Sequence, residues 1–190
     1  MKLLTERIAR DGQALDRDIL LVDSFLNHQV DMQLMRQIGD AFAAHFRALG
    51  VTRVLTIESS GIAPAGMTAL ALDVPLVVMK KRTSRITAGT VYQTNVRSFT
   101  KNTEYALTVS QKFLFPGERV LFIDDFLAMG EAALGAARLI EEAGSVLCGI
   151  GIVIEKTFQP GRKKLEDAGY DVFSLARIRQ MDTGRIEFLA

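Results

Sequence analysis

The sequence predicts an α/β domain built on a largely parallel twisted sheet flanked by helices. Three observations carry that expectation. From Val51 onward, apolar runs of strand length alternate with stretches of helical periodicity, the pattern of strand–helix–strand units. Two of the runs, Val120 to Ile123 and Val146 to Ile154, are apolar almost throughout rather than at alternate positions, as expected of strands covered on both faces. The chain has 190 residues with no internal repeat or long linker, which fits a single domain spanning 1–190.

Met1 to Asp16 has weak helical character, Asp18 to Val22 is a short apolar run, and Asn27 falls in a turn. Asp31 opens an amphipathic helix in which Met35, Ile38, Phe42, Phe46 and Leu49 recur at spacings of three and four and form one apolar stripe. Gly50 is its C-terminal cap. Val51 to Ile57 is predicted as a buried strand, Glu58-Ser59-Ser60-Gly61 as a tight loop, Ile62 to Leu72 as a small-residue helix and Pro75 to Met79 as a second strand. Gly89 to Phe99 and Tyr105 to Ser110 read as strands around a polar tip, Thr100 to Glu104. Pro116-Gly117 is a turn ahead of a strand from Arg119 to Ile123. Asp124 to Met129 is predicted as a loop and Gly130 to Ala143 as a helix, with Ala133, Leu134, Ala137 and Ile140 inward and Gly144 at its end. Val146 to Ile154 is a buried strand, Gly161 to Ala168 a short helix capped by Gly169, and Asp171 to Ala176 a last core strand, with one more short strand within Ile178 to Ala190.

Composition excludes several classes. Lys plus Arg is 23 and Asp plus Glu 22, a net charge of +1, so no overall field attracts nucleic acid or an anionic membrane. Hydrophobic residues at 48% and charged residues at 24% exclude a disordered chain. The lone Cys148 excludes an internal disulfide and a cysteine-rich zinc site, and reads as a small buried residue. Met1 to Asp18 lacks the apolar core of a signal peptide. No run approaches the ~20 apolar residues of a membrane span. A cytoplasmic protein without membrane association is expected.

In parallel α/β sheets, ligands bind at the carboxyl ends of the strands. That rule selects Glu58 to Gly61, Lys80 to Arg85, Asp124 to Ala132 and Glu155-Lys156. The most informative stretch runs from Val120 to Ala133: an apolar strand, then Asp124-Asp125, a small-residue loop and a helix. A helix N-terminus presents unpaired N–H groups and partial positive charge, which suits a phosphate. Ala128, Gly130 and Ala132 leave the backbone open to an anion. The two carboxylates suit a sugar diol or a cation carried by the ligand. A plain turn, with its aspartates solvating the loop and capping the helix, fits the same residues.

This pattern resembles the phosphoribosyl diphosphate (PRPP) binding motif of the type I phosphoribosyltransferases. The resemblance extends along essentially the whole chain and narrows to the xanthine-using group of that family. The matching pieces are Asp18 to Asp31, Glu58 to Pro64, Ile123 to Ala132 and Gly151 to Phe158, the first being the most discriminating. The resemblance implies the type I fold with a small hood formed mainly by the N-terminal segment, residues 1–36 and 156–190 contributing to the hood and the base pocket. It implies transfer of the 5-phosphoribosyl group from PRPP to N9 of xanthine, a purine-salvage reaction. Ala128, Met129, Gly130, Glu131 and Ala132 then cradle the 5-phosphate, and Ser59, Ser60, Gly61 and Lys81 serve the diphosphate. Asp124 and Asp125 are the catalytic carboxylates on the ribose side, and Leu20, Asn27 and Lys156 line the xanthine pocket. It also implies Mg2+ borne by PRPP with no dedicated protein metal site, a homodimer, and a mobile loop across Ser98 to Ser110 that closes over the site, with Ser98, Thr100 and Lys101 as diphosphate contacts.

An ammonium at Lys156 can donate to the 6-oxygen of a purine and disfavours the amino group of adenine. The Asn27 amide can read the 2-oxo edge. Without the resemblance, Lys156 reads as a surface lysine, Asn27 as a turn residue and Leu20 as core. A related guanine or hypoxanthine enzyme fits the same 6-oxo logic. A PRPP-sensing regulator needs a basic DNA-binding domain ahead of this one, and only about 30 residues precede the amphipathic helix. Met129 and Glu131 depart from the family pattern, in which amides are usual. A carboxylate at 131 repels phosphate if it points inward and suits the helix dipole if it points outward. Phe113-Leu114-Phe115 reads as interface or core; His28 and His45 receive no role.

Overall fold

The computed structural model describes residues 1–82, 91–98 and 103–189. The helices are α1 (Lys2–Asp11), α2 (Met32–Phe46), α3 (Ile62–Leu72), α4 (Glu131–Glu142) and α5 (Gly161–Asp167). The strands are β1 (Gln13–Ala14), β2 (Leu20–Leu21), β3 (Arg53–Ile57), β4 (Leu76–Arg82), β5 (Val91–Ser98), β6 (Thr103–Ser110), β7 (Arg119–Leu127), β8 (Val146–Lys156), β9 (Val172–Asp182) and β10 (Arg185–Phe188). Eight of these form one sheet in the order β10-β9-β8-β7-β3-β4-β6-β5. From β4 through β3, β7 and β8 to β9 the strands run parallel. The antiparallel pairs lie outside that block, and β1 and β2 form a separate two-stranded sheet.

The expected helix-on-both-faces architecture follows from the core. One apolar cluster joins the sheet to α1, α2 and α3 through Ile8, Phe42, Phe46, Ala65, Ile123 and Val153. The other joins it to α4 and α5 through Phe122, Leu139, Ile140, Ile152 and Leu165, and takes in Val96 and Leu107 of the β5–β6 hairpin. The two central strands are buried on both sides, which is why their sequence does not alternate. Close approach depends on two glycines of β8. A Cβ on Gly149 falls 2.6 Å from the Phe46 ring, and one on Gly151 falls 2.5 Å from Ile123 and 2.9 Å from Phe42. The apolar stripe of α2 therefore packs directly on strand backbone. Asp31 caps α2 by accepting from Gln33 and Leu34 N–H, both at 3.1 Å, a bond type worth about 1 kcal/mol. Arg7 donates to Asp31 at 2.9 Å, which ties α1 to that helix start.

Several strands run further than the local pattern predicts. β7 continues through Leu127, so Asp124 to Leu127 is strand and not loop. Asp124, Phe126 and Leu127 register against Ile152, Ile154 and Glu155, and cross-strand pairing overrides the low strand preference of aspartate. β8 likewise reaches Lys156 because β7 and β9 hold it on both sides. β4 reaches Arg82 through pairing with β6. β9 reaches Asp182 and turns through Gly184, at φ 70°, into β10. The two strands expected around a polar tip are present: β5 and β6 pair from Val91↔Ser110 to Ser98↔Thr103. Arg138 of α4 donates to Thr94 Oγ1 and the Asn95 carbonyl, fastening the hairpin. Thr100, Lys101 and Arg85 lie outside the described residues.

The β1–β2 sheet is held to the β9–β10 turn by Gly184 N–H on the Ala14 carbonyl and Thr183 Oγ1 on the Leu15 carbonyl, both at 3.0 Å. Leu114 is buried, while Phe113 and Phe115 on either side of it are exposed. Among the described residues no helix is long and apolar enough to cross a membrane.

The glycine packing generates a stability prediction. Gly151→Val overpacks the α2–β8 contact and costs about 1–3 kcal/mol. A calorimetric melting point several degrees below wild type is the expected result; an unchanged midpoint contradicts the packing argument.

Candidate active site

The connectivity reverses direction between β3 and β7. From β3 the chain moves outward through α3 to β4, then returns to the other side of β3 as β7 and continues away through β8 and β9. A crevice opens at such a switch point, beyond the carboxyl ends of the two strands. Two clefts lie there. One of about 380 Å³ is walled by Glu58, Ser59, Ser60, Lys81, Asp124 and Asp125. The other, of about 170 Å³, is walled by Asp124, Phe126 and the Ala128–Ala132 segment, with Arg97 and Tyr105 from the hairpin. Asp124 and Ala132 belong to both, so the clefts adjoin. Gly61 ends the first loop in tight quarters: a Cβ there meets Thr56 Oγ1 and lies 3.0 Å from Asp124 Oδ1.

The Ala128–Ala132 segment is a turn braced from behind. Gly130 has φ 82°, a conformation that favours glycine. A Cβ on it lies 3.0 Å from Gly161 Cα. Gly161 N–H donates to the Ala128 carbonyl at 2.9 Å. The helical ladder of α4 begins with Leu134 N–H on the Gly130 carbonyl at 3.0 Å. The N–H groups of Glu131, Ala132 and Ala133 precede it and have no helical acceptor, and Gly130 supplies no side chain to cap them. Donors of this kind, with the helix dipole, suit an anion. The Glu131 carboxylate accepts from Lys164 Nζ at 2.6 Å.

Asp124 is buried and Asp125 half-buried. Burial first, and the neighbouring Asp125 charge second, push the Asp124 carboxyl well above the ordinary aspartate range, against the pull of Lys81. Asp125 N–H donates to Asp124 Oδ1 at 3.0 Å. Burial also pushes Glu58 up, but the Lys81 N–H at 2.7 Å and the Lys80 ammonium at 3.2 Å outweigh it and hold the carboxyl below its ordinary value. Lys80 is thus occupied by Glu58, whereas Lys81 faces the cleft with its ammonium 5.7 Å from the Tyr105 ring centre.

At the end of β8 the Lys156 ammonium donates to the Asp18 carbonyl and lies 5.3 Å over the Phe126 ring, a favourable cation–π placement. Burial pulls its pKa below that of an ordinary lysine, opposed by Asp18, Asp16 and Asp125. Asp16 shapes the turn that presents Asp18, accepting the N–H groups of Asp18 and Ile19 at 2.7 Å each. Leu20 is buried in β2. Asn27 ends a π-helical turn, Asp23–Asn27, with its side chain exposed.

The residue before Lys156 points the other way, as alternation along a strand requires. Glu155 is 1% exposed and receives both Arg162 Nε and Nη2 at 2.7 Å. Arg162 also donates to the Val172 carbonyl at 3.0 Å and Ser174 Oγ at 3.2 Å. Burial raises the Glu155 carboxyl, but Arg162 and Ser174 more than reverse this and hold it below its ordinary value.

The structure therefore gathers Ser59, Ser60, Gly61, Lys81, Asp124, Asp125 and the Ala128–Ala132 turn at one crevice, with Lys156 across Phe126. Sequence reasoning missed Phe126, Arg97, Tyr105, Gly161 and Arg162. Phe126 stands inside the motif already singled out, and its aromatic ring beside two aspartates was the available signal. Gly161 and Arg162 act across the fold, and no local pattern marks them.

Residues 29–186 match the family model described as the phosphoribosyl transferase domain. The chain belongs to the phosphoribosyltransferase family. It is 58% identical over 189 residues to xanthine phosphoribosyltransferase 1 of Clostridium botulinum strain Hall, covering all of both chains. It is 54% identical to xanthine phosphoribosyltransferase of Clostridium acetobutylicum, again over all of both chains. Among solved structures it is similar to adenine phosphoribosyltransferase of Rhodothermus marinus, with TM-score 0.76 and 25% identity over 93% of this chain and 99% of that one. The Giardia lamblia adenine enzyme, at TM-score 0.77 and 24% identity over 92% and 97%, shares the fold. The phosphoribosyltransferase architecture is thus shown from both sequence and structure, and the chain is an enzyme of the glycosyl-transferring class.

Two stability predictions follow from the charges of this site. Arg162→Met removes the bidentate partner of the buried Glu155 carboxylate, leaving Arg177 Nε at 3.4 Å from its Oε2, and costs on the order of 3 kcal/mol. Because the folded-state pKa of Glu155 is depressed, the stability it contributes is present above its ordinary value of 4.5 and lost as pH falls through the folded value. Urea midpoints measured against pH are expected to drop steeply below that value in wild type and less steeply in the variant. Asp124 has the opposite sign. Its raised pKa favours folding below its ordinary value of 3.8, and that contribution is lost as pH rises through the folded value, so its buried charge opposes folding at neutral pH. Asp124→Asn is expected to raise the neutral-pH melting point while lowering kcat/KM by about a hundredfold or more; a lowered melting point contradicts the electrostatic reading.

Proposed function

We propose that this phosphoribosyltransferase moves the 5-phosphoribosyl group from PRPP to N9 of xanthine, giving xanthosine 5'-monophosphate and diphosphate in purine salvage. One observation carries the reading: a desolvated Lys156 ammonium over Phe126, at the end of a crevice that already offers an anion turn and a carboxylate pair. In this proposal the 5-phosphate sits on the Ala128–Ala132 turn and the diphosphate against Ser59, Ser60, Gly61 and Lys81. The common wall at Asp124 and Ala132 lets one molecule span both clefts.

Bond cleavage places positive charge on the ribose ring and negative charge on the departing diphosphate. Asp124 and Asp125 stabilise the first through the ribose hydroxyls, and Lys81 the second. Arg97 adds positive charge on the phosphate side. Mg2+ enters as part of the PRPP substrate complex. An acidic pair facing a phosphate-rich ligand fits an ion that prefers phosphate oxygens and water.

Lys156 donates to the 6-oxygen of the base while Phe126 packs against the ring. Leu20 closes the apolar side, and Asn27 reads the 2-oxo edge. Residues 1–36 and 156–190 form the hood, its turn fixed by Asp16 and its Asp18 carbonyl fixed on Lys156. The solved neighbours named for adenine share the scaffold; adenine carries a donor at position 6, which offers the Lys156 ammonium no acceptor. The reading extends to a cytoplasmic homodimer in which the exposed Phe113 and Phe115 are covered.

The test is nucleotide formation from PRPP and Mg2+ with xanthine, guanine, hypoxanthine and adenine in parallel. Xanthine is expected to be fastest, with adenine slower by about 10⁴-fold. Preference for guanine or hypoxanthine overturns the base assignment, and binding of PRPP without turnover overturns the enzymatic reading in favour of a sensor. Lys156→Met is expected to lower kcat/KM for xanthine by about 10- to 200-fold and to leave the KM for PRPP unchanged.

A further inference from the structure

Glu131 is an unexpected residue for a phosphate turn. It lies in the first turn of α4, and it lines the same cleft as the open N–H groups. An unpaired carboxylate there repels a phosphate dianion. It is not unpaired: Lys164 of α5 donates to its Oε1 at 2.6 Å, across 33 positions of sequence. The helix that carries Lys164 also braces the turn sterically, through Gly161 against Gly130 and Gly161 N–H on the Ala128 carbonyl. Arg162, between those residues, anchors that helix to Glu155 at the end of β8. Lys164 is therefore held in place independently of Glu131.

We propose that Lys164 is a positioning residue for the 5-phosphate turn: it draws the Glu131 carboxylate outward and neutralises it, and so allows a carboxylate to occupy an anion-binding loop. The inference rests on the reading of this turn as the phosphate cradle of a phosphoribosyl transfer. Glu131 and Lys164 side chains are 30% and 36% exposed, and an ion pair so placed adds little to folding stability. Its loss should then appear in phosphate affinity rather than in melting.

The experiment compares wild type with Lys164→Met, Lys164→Arg, Glu131→Gln and the Glu131→Gln/Lys164→Met double variant. Steady-state kinetics give kcat and both KM values, calorimetry gives the affinity for ribose 5-phosphate, and melting points check folding. Lys164→Met is expected to raise the KM for PRPP by about 5- to 20-fold and to weaken ribose 5-phosphate by a similar factor. Its kcat and its KM for xanthine should stay within about twofold of wild type, as the perturbed charge lies at the phosphate end of the cleft. Lys164→Arg keeps the charge and should resemble wild type. The double variant should return to the level of Glu131→Gln, because no carboxylate then remains to be held away. An unchanged PRPP KM in Lys164→Met overturns the proposal, as does a double variant as weak as Lys164→Met, which means that Lys164 acts on the phosphate or the turn directly. A wild type that turns over no base refutes the transferase reading instead, and the ribose 5-phosphate titration still decides the role of Lys164.

Discussion

Both oxygens of Glu155 are taken by the Arg162 guanidinium at 2.7 Å, in a place with almost no solvent. A carboxylate in that position cannot be left without a cation, since an unpaired buried charge costs several kcal/mol. The bidentate fork also dictates orientation. Two consequences reach the site. Lys156, the next residue, is forced to the opposite side of the strand, toward Asp18 and Phe126. The first turn of α5 is fixed beside β8, so Gly161 presses on Gly130 and Lys164 meets Glu131. Lys156 and the Ala128–Ala132 turn are thus set relative to each other by the Glu155–Arg162 pair behind them.

The electrostatics of the crevice have a division of labour. Two carboxylates face it at Asp124 and Asp125, and the burial of Asp124 makes its charge costly until a cationic or hydrogen-bonding ligand arrives. Glu58 does not share that condition, because Lys80 and the Lys81 N–H already satisfy it. Among the described residues of this cleft, the Lys81 side chain then stands as its cation, beside the acidic pair. In the proposed transfer, the complementary charges of the ligand offset that cost on binding, and the same pair favours a transition state with separated charge.

Much of this was legible in the sequence because its causes are local. The α2 stripe, the Gly50 cap at φ 62° and the strand–Asp-Asp–turn–helix motif each lie within one continuous segment, and periodicity or turn chemistry exposes them. The lengths of β7, β8 and β9 were not legible. An aspartate pair looks like a loop until flanking strands supply its hydrogen bonds. The two strands of the β5–β6 hairpin were legible as apolar-alternating runs around a polar tip; what the sequence hid is how α4 holds them, through Arg138 and the small Gly135 against Val96. Gly161, Arg162 and Lys164 were invisible for the same reason. Their partners are contributed by other elements, and only the register of the fold brings them together.

The contrast between the adenine-named structural neighbours and the xanthine-named sequence relatives has a physical basis in this division. The proposed ribose and phosphate residues lie on the shared scaffold, which is kept at 24–25% identity with TM-scores of 0.76–0.77. In the proposed reaction the base meets a different set, on the N-terminal segment and at the end of β8, with Lys156 as the residue that selects the hydrogen-bond pattern. Burial disfavours its ammonium form, and the charges of Asp18, Asp16 and Asp125 favour it; the ammonium can only donate. A base with an oxygen at that edge replaces part of the solvation the ammonium has lost; a base with an amino group does not. In the proposed reaction, specificity rests on whether the base offers an acceptor to the half-buried Lys156 ammonium beside its Asp18 carbonyl partner, a difference that a scaffold comparison does not register.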